Sequence, residues 1–252
     1  MKPKNVASIV MLSALLSTAA PARATAETQG EMQVVDGFAI DRTEVTVGQF
    51  RQFARATGMV TKAEREGGGL VFAAGWQQRN GWTWQAPFGA PATDGEPAVH
   101  VTFDEAQAYC RWAGKRLPTD AEWRLAAYTE YRAAPPPPFA TGRSYPYPTG
   151  DSPEGANCLD DCGTVPVTDR SAVLERGRGH ATAGTTRAGV NGLTDMGANV
   201  WEWVDIDGED SKGTLGGSWW YGAAQMHAGH EATKPRDMAV VYIGFRCVKD
   251  LP

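Results

Sequence analysis

The chain has 252 residues, of which 42% are hydrophobic and 21% are charged, and its formal net charge is −5. This amount of apolar material is enough for one sizeable core, and no compositional bias indicates a fibrous or disordered protein. Because an acidic chain is poorly suited to phosphate backbones, we expect no nucleic-acid partner.

The amino-terminal segment has the layout of a secretory signal peptide. Two lysines precede an apolar run over residues 6–16, and small residues follow. We predict a signal peptide over residues 1–26, cleaved after Ala24 or Ala26, and one domain over residues 27–252. A membrane anchor is the alternative, but the run is shorter than the roughly 20 residues of a membrane-spanning helix. We therefore expect a periplasmic or secreted protein with no membrane span after cleavage.

Three segments begin with a capping box, in which Thr caps the first helical turn and a Glu or Gln three residues later bonds back to it. These segments begin at residues 46–49, 102–105 and 119–122. Apolar residues at helical spacing follow in each, and Gly58 and Gly114 end the first two. A proline tract at residues 135–138 prevents the third from continuing. The sequence therefore predicts three helices.

The stretch from residue 139 to residue 192 differs from the rest of the chain. It is dense in Gly, Pro, Asp and Thr and shows neither strand nor helix periodicity. We expect it to be largely irregular, which usually requires ions, disulfides or a functional reason within one domain. Residues 200–204 and 243–248 are predicted to be short buried strands.

The most specific part of the sequence is YCRWAGKRLPTDAEW at residues 109–123. Six further blocks are DRTEVT at 41–46, TGMVTKAER at 57–65, NGLTDM at 191–196, NVWEW at 199–203, GGSW at 216–219 and GFRC at 244–247. Together they resemble the formylglycine-generating-enzyme family, also called the sulfatase-modifying-factor family. The resemblance implies an α+β fold related to C-type-lectin-like modules, largely irregular with short strands and about three helices.

The resemblance also selects a pairing among the four cysteines. Cys110 and Cys247 match a structural disulfide of the founding enzyme, which implies the same bond here. Cys158 and Cys162 are spaced for a local disulfide, which we expect in an oxidising compartment. A redox-active or copper-binding thiolate pair at these two residues is the alternative.

The cysteine pair with which the founding enzyme binds copper and oxidises its substrate is absent. The corresponding positions after Gly-Gly-Ser hold Tyr221 and Met226. Neither a phenol nor a thioether replaces a thiolate nucleophile or supplies two thiolate ligands to Cu(I). Formylglycine generation by the copper mechanism of the family is therefore not expected.

Structural calcium is a further implication of the resemblance. The residues that match a family calcium site are Asp195, Glu202 and, through their carbonyl oxygens, Ala198 and Val200. Carboxylates and carbonyls suit a hard cation. In the alternative interpretation, the carboxylates serve only as acceptors of backbone hydrogen bonds. A second family site is partly retained through Asn157 and the carbonyl of Cys158.

By the same resemblance, the residues after Gly-Gly-Ser line a substrate groove. The candidates are Ser218, Trp219, Trp220, Tyr221, Gln225, Met226, His227, His230 and Glu231. Aromatic rings with a few polar groups are typical of small-molecule and peptide clefts, but the alternative places both tryptophans in the core. The two histidines and Glu231 could supply iron or copper ligands, yet their spacing forms no clear ligand set.

Two functions are compatible with these observations. The first is an oxidoreductase acting on a peptide or peptide-like small molecule, similar to a periplasmic pyoverdine-maturation oxidoreductase that also lacks the founding cysteine pair. The second is a non-catalytic, calcium-stabilised binding module for a peptide, glycan or protein partner. Fold alone does not separate them, and the sequence identifies neither the substrate nor the oligomeric state.

Overall fold

The computed structural model describes residues 30–165 and 179–252, so the predicted signal peptide lies outside the described residues. The described helices are α1 (Val47–Thr57), α2 (Lys62–Arg65), α3 (Phe103–Trp112) and α4 (Asp120–Tyr128). The described strands are β1 (Met32–Val35), β2 (Phe38–Asp41), β3 (Leu70–Phe72), β4 (Trp76–Gln78), β5 (Trp201–Val204), β6 (Ser211–Leu215), β7 (Thr233–Pro235), β8 (Ile243–Gly244) and β9 (Val248–Asp250). None of these helices is long and apolar enough to cross a membrane.

All three predicted helices are confirmed, and each begins with its predicted capping box. In α1 the hydroxyl of Thr46 accepts a hydrogen bond from the backbone N–H of Gln49, and the Gln49 side chain accepts one from the N–H of Thr46. Gly58 ends this helix with a φ of 71°, in the left-handed region. Helix α2 was not predicted, although Thr61 and Glu64 form the same box. Its single turn is too short to show a helical period.

Three small sheets connect distant parts of the chain. Strands β1, β2 and β9 form an antiparallel sheet in that order, so the first and last described strands belong to one sheet. A four-stranded sheet has the order β7-β6-β5-β8, in which β5 and β8 are parallel. Strands β3 and β4 pair with each other as an antiparallel hairpin. The sheets hold both ends of the domain together.

The predicted strand at residues 200–204 is confirmed as β5, but the single strand predicted at residues 243–248 is wrong. That segment contains β8 and the start of β9. Residues 245–247 leave the sheet because each makes a different contact. The carbonyl oxygen of Phe245 accepts a hydrogen bond from the N–H of Val45, which precedes α1. Arg246 forms an ion pair with Glu202, and Cys247 forms a disulfide. Between α4 and β5, the described residues form only a short 3-10 turn at Val190–Gly192 and isolated bridges, as expected for an irregular stretch.

Aromatic rings dominate the larger core, which joins α1 to α3 and to the carboxy-terminal segment. Phe50 of α1 packs 5.9 Å from Tyr109 of α3, and Tyr109 packs 5.4 Å from Phe245, measured between ring centroids. A second core surrounds Trp123 of α4. Burying one such side chain stabilises a fold by about 1.5–3 kcal/mol. These rings therefore contribute much of the free energy that holds the helices against the carboxy-terminal segment.

Both predicted disulfides are present. Cys110 in α3 is bonded to Cys247, which lies 137 residues later, and Cys158 is bonded to Cys162. These two bonds use all four cysteines of the chain. The first connects α3 to the segment between β8 and β9, and the protein retains no free thiol.

Replacing Cys110 and Cys247 by alanine is expected to lower the free energy of unfolding by roughly 5 kcal/mol, because this bond closes a long loop in the unfolded chain. The matched control replaces Cys158 and Cys162, whose short loop restricts the unfolded chain less and predicts a loss of roughly 2 kcal/mol. Urea unfolding followed by tryptophan fluorescence measures both. Equal losses would contradict the explanation from loop length.

His100 is a fully buried histidine at a closely packed point of the fold. Its φ is 57°, and its Nε2–H donates to the carbonyl oxygen of Pro87 at 3.0 Å. A Cβ added to Gly69 would lie only 2.1 Å from Nδ1, so the ring requires glycine there. Burial lowers the pKa of His100 to about 4, because the imidazolium loses its hydration.

Stability is expected to decrease as pH falls from about 6.5 to about 4, because the unfolded chain binds a proton at His100 that the folded chain excludes. The full contribution is about 3 kcal/mol. His100→Asn removes this contribution while keeping a residue type that tolerates positive φ. Urea unfolding at several pH values measures the effect, and an unchanged pH dependence in the variant would refute it.

Candidate functional site

The nine groove candidates lie in one segment, residues 218–231, between β6 and β7, which contains a 3-10 turn at Ala223–Met226. The buried members are Ser218, Trp219, Trp220 and Met226. The half-buried members are Tyr221, Gln225 and His230, and the exposed ones are His227 and Glu231. Both tryptophans therefore lie in the core, and the accessible surface of the segment comes mainly from its second half.

An open cleft of about 340 Å³ lies along that second half. It is lined by Tyr147, Ala224, His227, Gly229 and His230, and we call it the histidine cleft. The rings of Tyr147 and His227 pack edge-on with centroids 5.4 Å apart. The Nδ1 atom of His227 accepts a hydrogen bond of 3.1 Å from the N–H of Gly229, so a neutral His227 carries its proton on Nε2.

Helix α4 holds the backbone of the histidine cleft in place. The guanidinium of Arg124 donates to the carbonyl oxygens of Ala228, at 2.7 Å, and His230, at 3.1 Å. The hydroxyl of Tyr128 donates to the carbonyl oxygen of Met226 at 3.1 Å. Three hydrogen bonds from one helix thus fix the loop that carries both histidines.

His230 differs from His227 in its surroundings. Partial burial, with the positive charges of Lys234 and Arg124, lowers the pKa of His230 below its ordinary value. The imidazole also packs against Trp201, with ring centroids 5.6 Å apart. His230 is therefore neutral near pH 7 and can accept a proton from a bound molecule.

A continuous series of aromatic rings leads from the core to the histidine cleft. Its members, in order, are Trp219, Trp220, Tyr242, Tyr221, Trp201 and His230. Successive ring centroids are 5.1–5.8 Å apart. We call this set the aromatic series. It connects a buried tryptophan to a side chain that lines the cleft.

The two positions that correspond to the copper-binding cysteines have no thiolate character. The ring of Tyr221 packs between Trp201 and Tyr242. Met226 is buried in a small apolar cluster that also contains both cysteines of the short disulfide. Because every cysteine of the chain is disulfide-bonded, no thiolate pair is available to Cu(I).

The two carboxylates of the first calcium candidate are buried and already hydrogen-bonded. Asp195 accepts a hydrogen bond of 2.7 Å from the hydroxyl of Thr186. Glu202 forms a bidentate pair with Arg246, with a distance of 2.7 Å to each oxygen. Ala198 adopts a φ of 57°, an unusual conformation for a residue other than glycine.

The charge balance around this candidate site is negative. Glu44, Asp195 and Glu202 are all buried, with Arg246 as their buried guanidinium neighbour. Burial, followed by the charges of Asp195 and Glu202, raises the pKa of Glu44 well above its ordinary value. This surplus of carboxylates fits a cation. In the described part of the chain no three His, Cys, Asp or Glu side chains are arranged around a metal position, so a cation there would depend on backbone carbonyls.

Asn157, a candidate for the second calcium site, has one unsatisfied oxygen. Its side-chain nitrogen donates to the carbonyl of Gly179 at 3.1 Å and to Oδ1 of Asn199 at 3.0 Å. Its own Oδ1 is buried and has no hydrogen-bond partner among the residues described. Since buried oxygens are nearly always paired, this atom fits a cation or a bound water.

Sequence reasoning did not identify three residues that build the site, namely Tyr147, Arg124 and Trp201. Tyr147 belongs to the irregular stretch, where no periodic signal exists. In the sequence, Arg124 looks like an ordinary charged surface residue of a helix, and only its two carbonyl contacts show its role. Trp201 lies within a recognised block, but the block does not indicate that its ring reaches His230.

The sulfatase-modifying factor enzyme 1-like domain matches residues 9–251 of this chain. The formylglycine-generating enzyme of Thermomonospora curvata is 37% identical over 189 residues, which cover 66% of this chain but only 58% of that protein. The inactive C-alpha-formylglycine-generating enzyme 2 of Mus musculus is 30% identical and covers 92% of this chain and 82% of that protein. The hercynine oxygenase of Mycobacterium tuberculosis is 31% identical over 68% of this chain and 38% of its own length.

A solved structure shows the same fold. PvdO from Pseudomonas aeruginosa superposes with a TM-score of 0.57 at 19% sequence identity, covering 85% of this chain and 80% of that one. The α+β architecture expected from the sequence is therefore confirmed as the formylglycine-generating-enzyme fold. From the family match and these relatives, we conclude that the chain belongs to the formylglycine-generating-enzyme, or sulfatase-modifying-factor, family.

Proposed function

We propose that this protein is an oxidoreductase that binds a peptide or peptide-like small molecule in the histidine cleft. The observation that carries this proposal is the aromatic series, whose rings follow one another at 5.1–5.8 Å up to His230. Indole and phenol side chains can lose and regain single electrons. We take dioxygen as the acceptor, so that two electrons and two protons leave the substrate and form hydrogen peroxide; the series can carry the electrons one at a time, and neutral His230 can relay the protons.

The mechanism differs from that of the founding enzyme. All four cysteines form disulfides, so this chain has no thiolate pair that could bind copper for the oxidation. The hercynine oxygenase relative, by its name, belongs to the oxidoreductases and so supports oxidation elsewhere in the family. Two disulfides, together with the predicted signal peptide, support a periplasmic or secreted location.

The second candidate function is a non-catalytic, calcium-stabilised binding module for a peptide, glycan or protein. Two observations favour it. Trp219 and Trp220 are buried and contribute almost no exposed surface to a groove. A relative covering most of this chain is named an inactive enzyme. In this case the histidine cleft would bind a partner without changing it.

Tyr221→Phe is expected to remove most of the tyrosyl radical that forms when the protein is oxidised with a photoexcited ruthenium complex and persulfate, because phenylalanine keeps the packing but is much harder to oxidise. Electron paramagnetic resonance measures the radical. Tyr131→Phe is the matched control, since Tyr131 is partly buried but lies outside the aromatic series. Identical spectra for both variants would refute a redox role for Tyr221.

Metal analysis and oxygen uptake of protein purified from the periplasm separate the two functions. Stoichiometric iron or copper with oxygen uptake supports the oxidoreductase, whereas calcium alone without oxygen uptake supports the binding module.

Mass spectrometry of a co-expressed sulfatase peptide is expected to show an unmodified cysteine. Its conversion to formylglycine would contradict the mechanism proposed above.

Calcium is proposed as the structural cofactor of the residues around Asp195 and Asn157. The buried surplus of carboxylates and the unpaired Oδ1 of Asn157 support this assignment. Chelation is expected to lower the Tm by several degrees, and calcium at about 100 times its Kd to restore about 2.7 kcal/mol of stability. Asp195→Asn should weaken the calcium response, while Asp151→Asn, at an exposed carboxylate, should not. A Tm that ignores both chelator and calcium would disprove the assignment.

A further inference from the structure

A second cleft lies between helix α1 and the loop of residues 84–92, and none of the groove candidates lines it. Its volume is about 460 Å³. The lining residues are Arg51, Ala54, Arg55, Met59, Glu64, Trp84, Gln85, Pro91 and Ala92. We call it the α1 cleft. Its volume lies within the range of about 300–1,000 Å³ that is typical of small-molecule sites.

The apolar part of the α1 cleft is rigid. Trp84 is buried, and its ring packs 5.1 Å from Phe50, between centroids. Its indole Nε1–H donates to Oε2 of Glu64 at 3.1 Å. Met59 and Ala54 lie on the same cleft and are half-buried. Because the indole is fixed by packing and by a hydrogen bond, an apolar ligand would not have to order it.

Two arginines and one carboxylate, that of Glu64, line the α1 cleft. Arg51 and Arg55 lie one turn apart on α1, and both line the cleft. Arg51 is paired with Asp94, which is largely exposed. Arg55 is exposed and forms no ion pair with any of the residues that the structure describes. Because Asp94 already balances the charge of Arg51, Arg55 is the guanidinium whose charge a bound anion would balance.

Glu64 is the carboxylate that lines this cleft, but it is engaged elsewhere. Its Oε2 accepts hydrogen bonds from the backbone N–H and the hydroxyl of Thr61, both at 2.8 Å, and from Trp84. These bonds cap helix α2 and hold the indole. Glu64 therefore supports the apolar part of the cleft, and Arg55 remains available for a ligand.

We propose that the α1 cleft binds a small organic acid whose apolar body lies against the half-buried side chains of Met59 and Ala54 and whose carboxylate bonds to Arg55. Guanidinium and carboxylate groups match in geometry and form paired, charge-assisted hydrogen bonds. Arg55 lines the same cleft as this apolar surface, in a chain whose net charge is −5. This site is separate from the histidine cleft and does not depend on oxidoreductase activity.

Isothermal titration calorimetry at low ionic strength tests the proposal with a naphthoate and the corresponding neutral naphthamide as probes. The naphthoate is expected to bind more tightly than the naphthamide. Arg55→Gln should weaken naphthoate binding by about tenfold or more and leave naphthamide binding unchanged, because only the charged bond is lost. Arg111→Gln, at an exposed arginine on α3 that does not line the cleft, should change neither.

A second variant locates the apolar body of the ligand. Ala54→Phe fills the α1 cleft and is expected to abolish binding of both probes, with circular dichroism confirming that each variant is folded. Equal affinity for the two probes, equal naphthoate affinity of the two arginine variants, or unchanged binding to Ala54→Phe would each overturn the proposal. Absence of saturable naphthoate binding to the unmodified protein would also overturn it.

Discussion

The buried ion pair between Arg246 and Glu202 is the interaction on which the rest of the structure depends. Both side chains are removed from solvent and form two hydrogen bonds of 2.7 Å. The same guanidinium donates to the carbonyl oxygens of Asp41 in β2 and Thr194 before β5, each at 3.0 Å. One side chain thus joins the first sheet, the irregular stretch and the four-stranded sheet. Loss of either charge would leave the other buried without a partner, which typically costs about 3–5 kcal/mol.

This ion pair also determines the position of the histidine cleft. Glu202 accepts a third hydrogen bond, of 2.7 Å, from the indole N–H of Trp123 in α4. Helix α4 is therefore fixed to the centre of the protein, and through Arg124 and Tyr128 it holds the loop of His227 and His230. A few directional hydrogen bonds therefore fix the position of this surface loop relative to the core, although the loop has no helix or strand at its histidines.

Within the family fold, this chain has different side chains at the two positions that correspond to the reactive cysteines of the founding enzyme. All four cysteines form two structural disulfides, and the groove segment instead contains oxidisable rings and two imidazoles. The two clefts also differ from each other. The histidine cleft joins neutral imidazole to aromatic rings, whereas the α1 cleft joins guanidinium groups to an apolar wall. Their different charges suit different ligands, so the fold presents two separate candidate binding surfaces.

The sequence by itself determined the helix starts, the cysteine pairing by family resemblance and the irregular middle, because capping residues, recognised blocks and glycine-rich composition act locally. It did not determine that Ile243 to Val248 would divide into two strands, since that division depends on Arg246 meeting Glu202 in three dimensions. Nor did it show that Trp219 and Trp220 are buried or that Tyr147 faces His227. Tertiary structure decided these features, because burial and contact depend on which distant segments pack together, and local residue patterns carry no information about that packing.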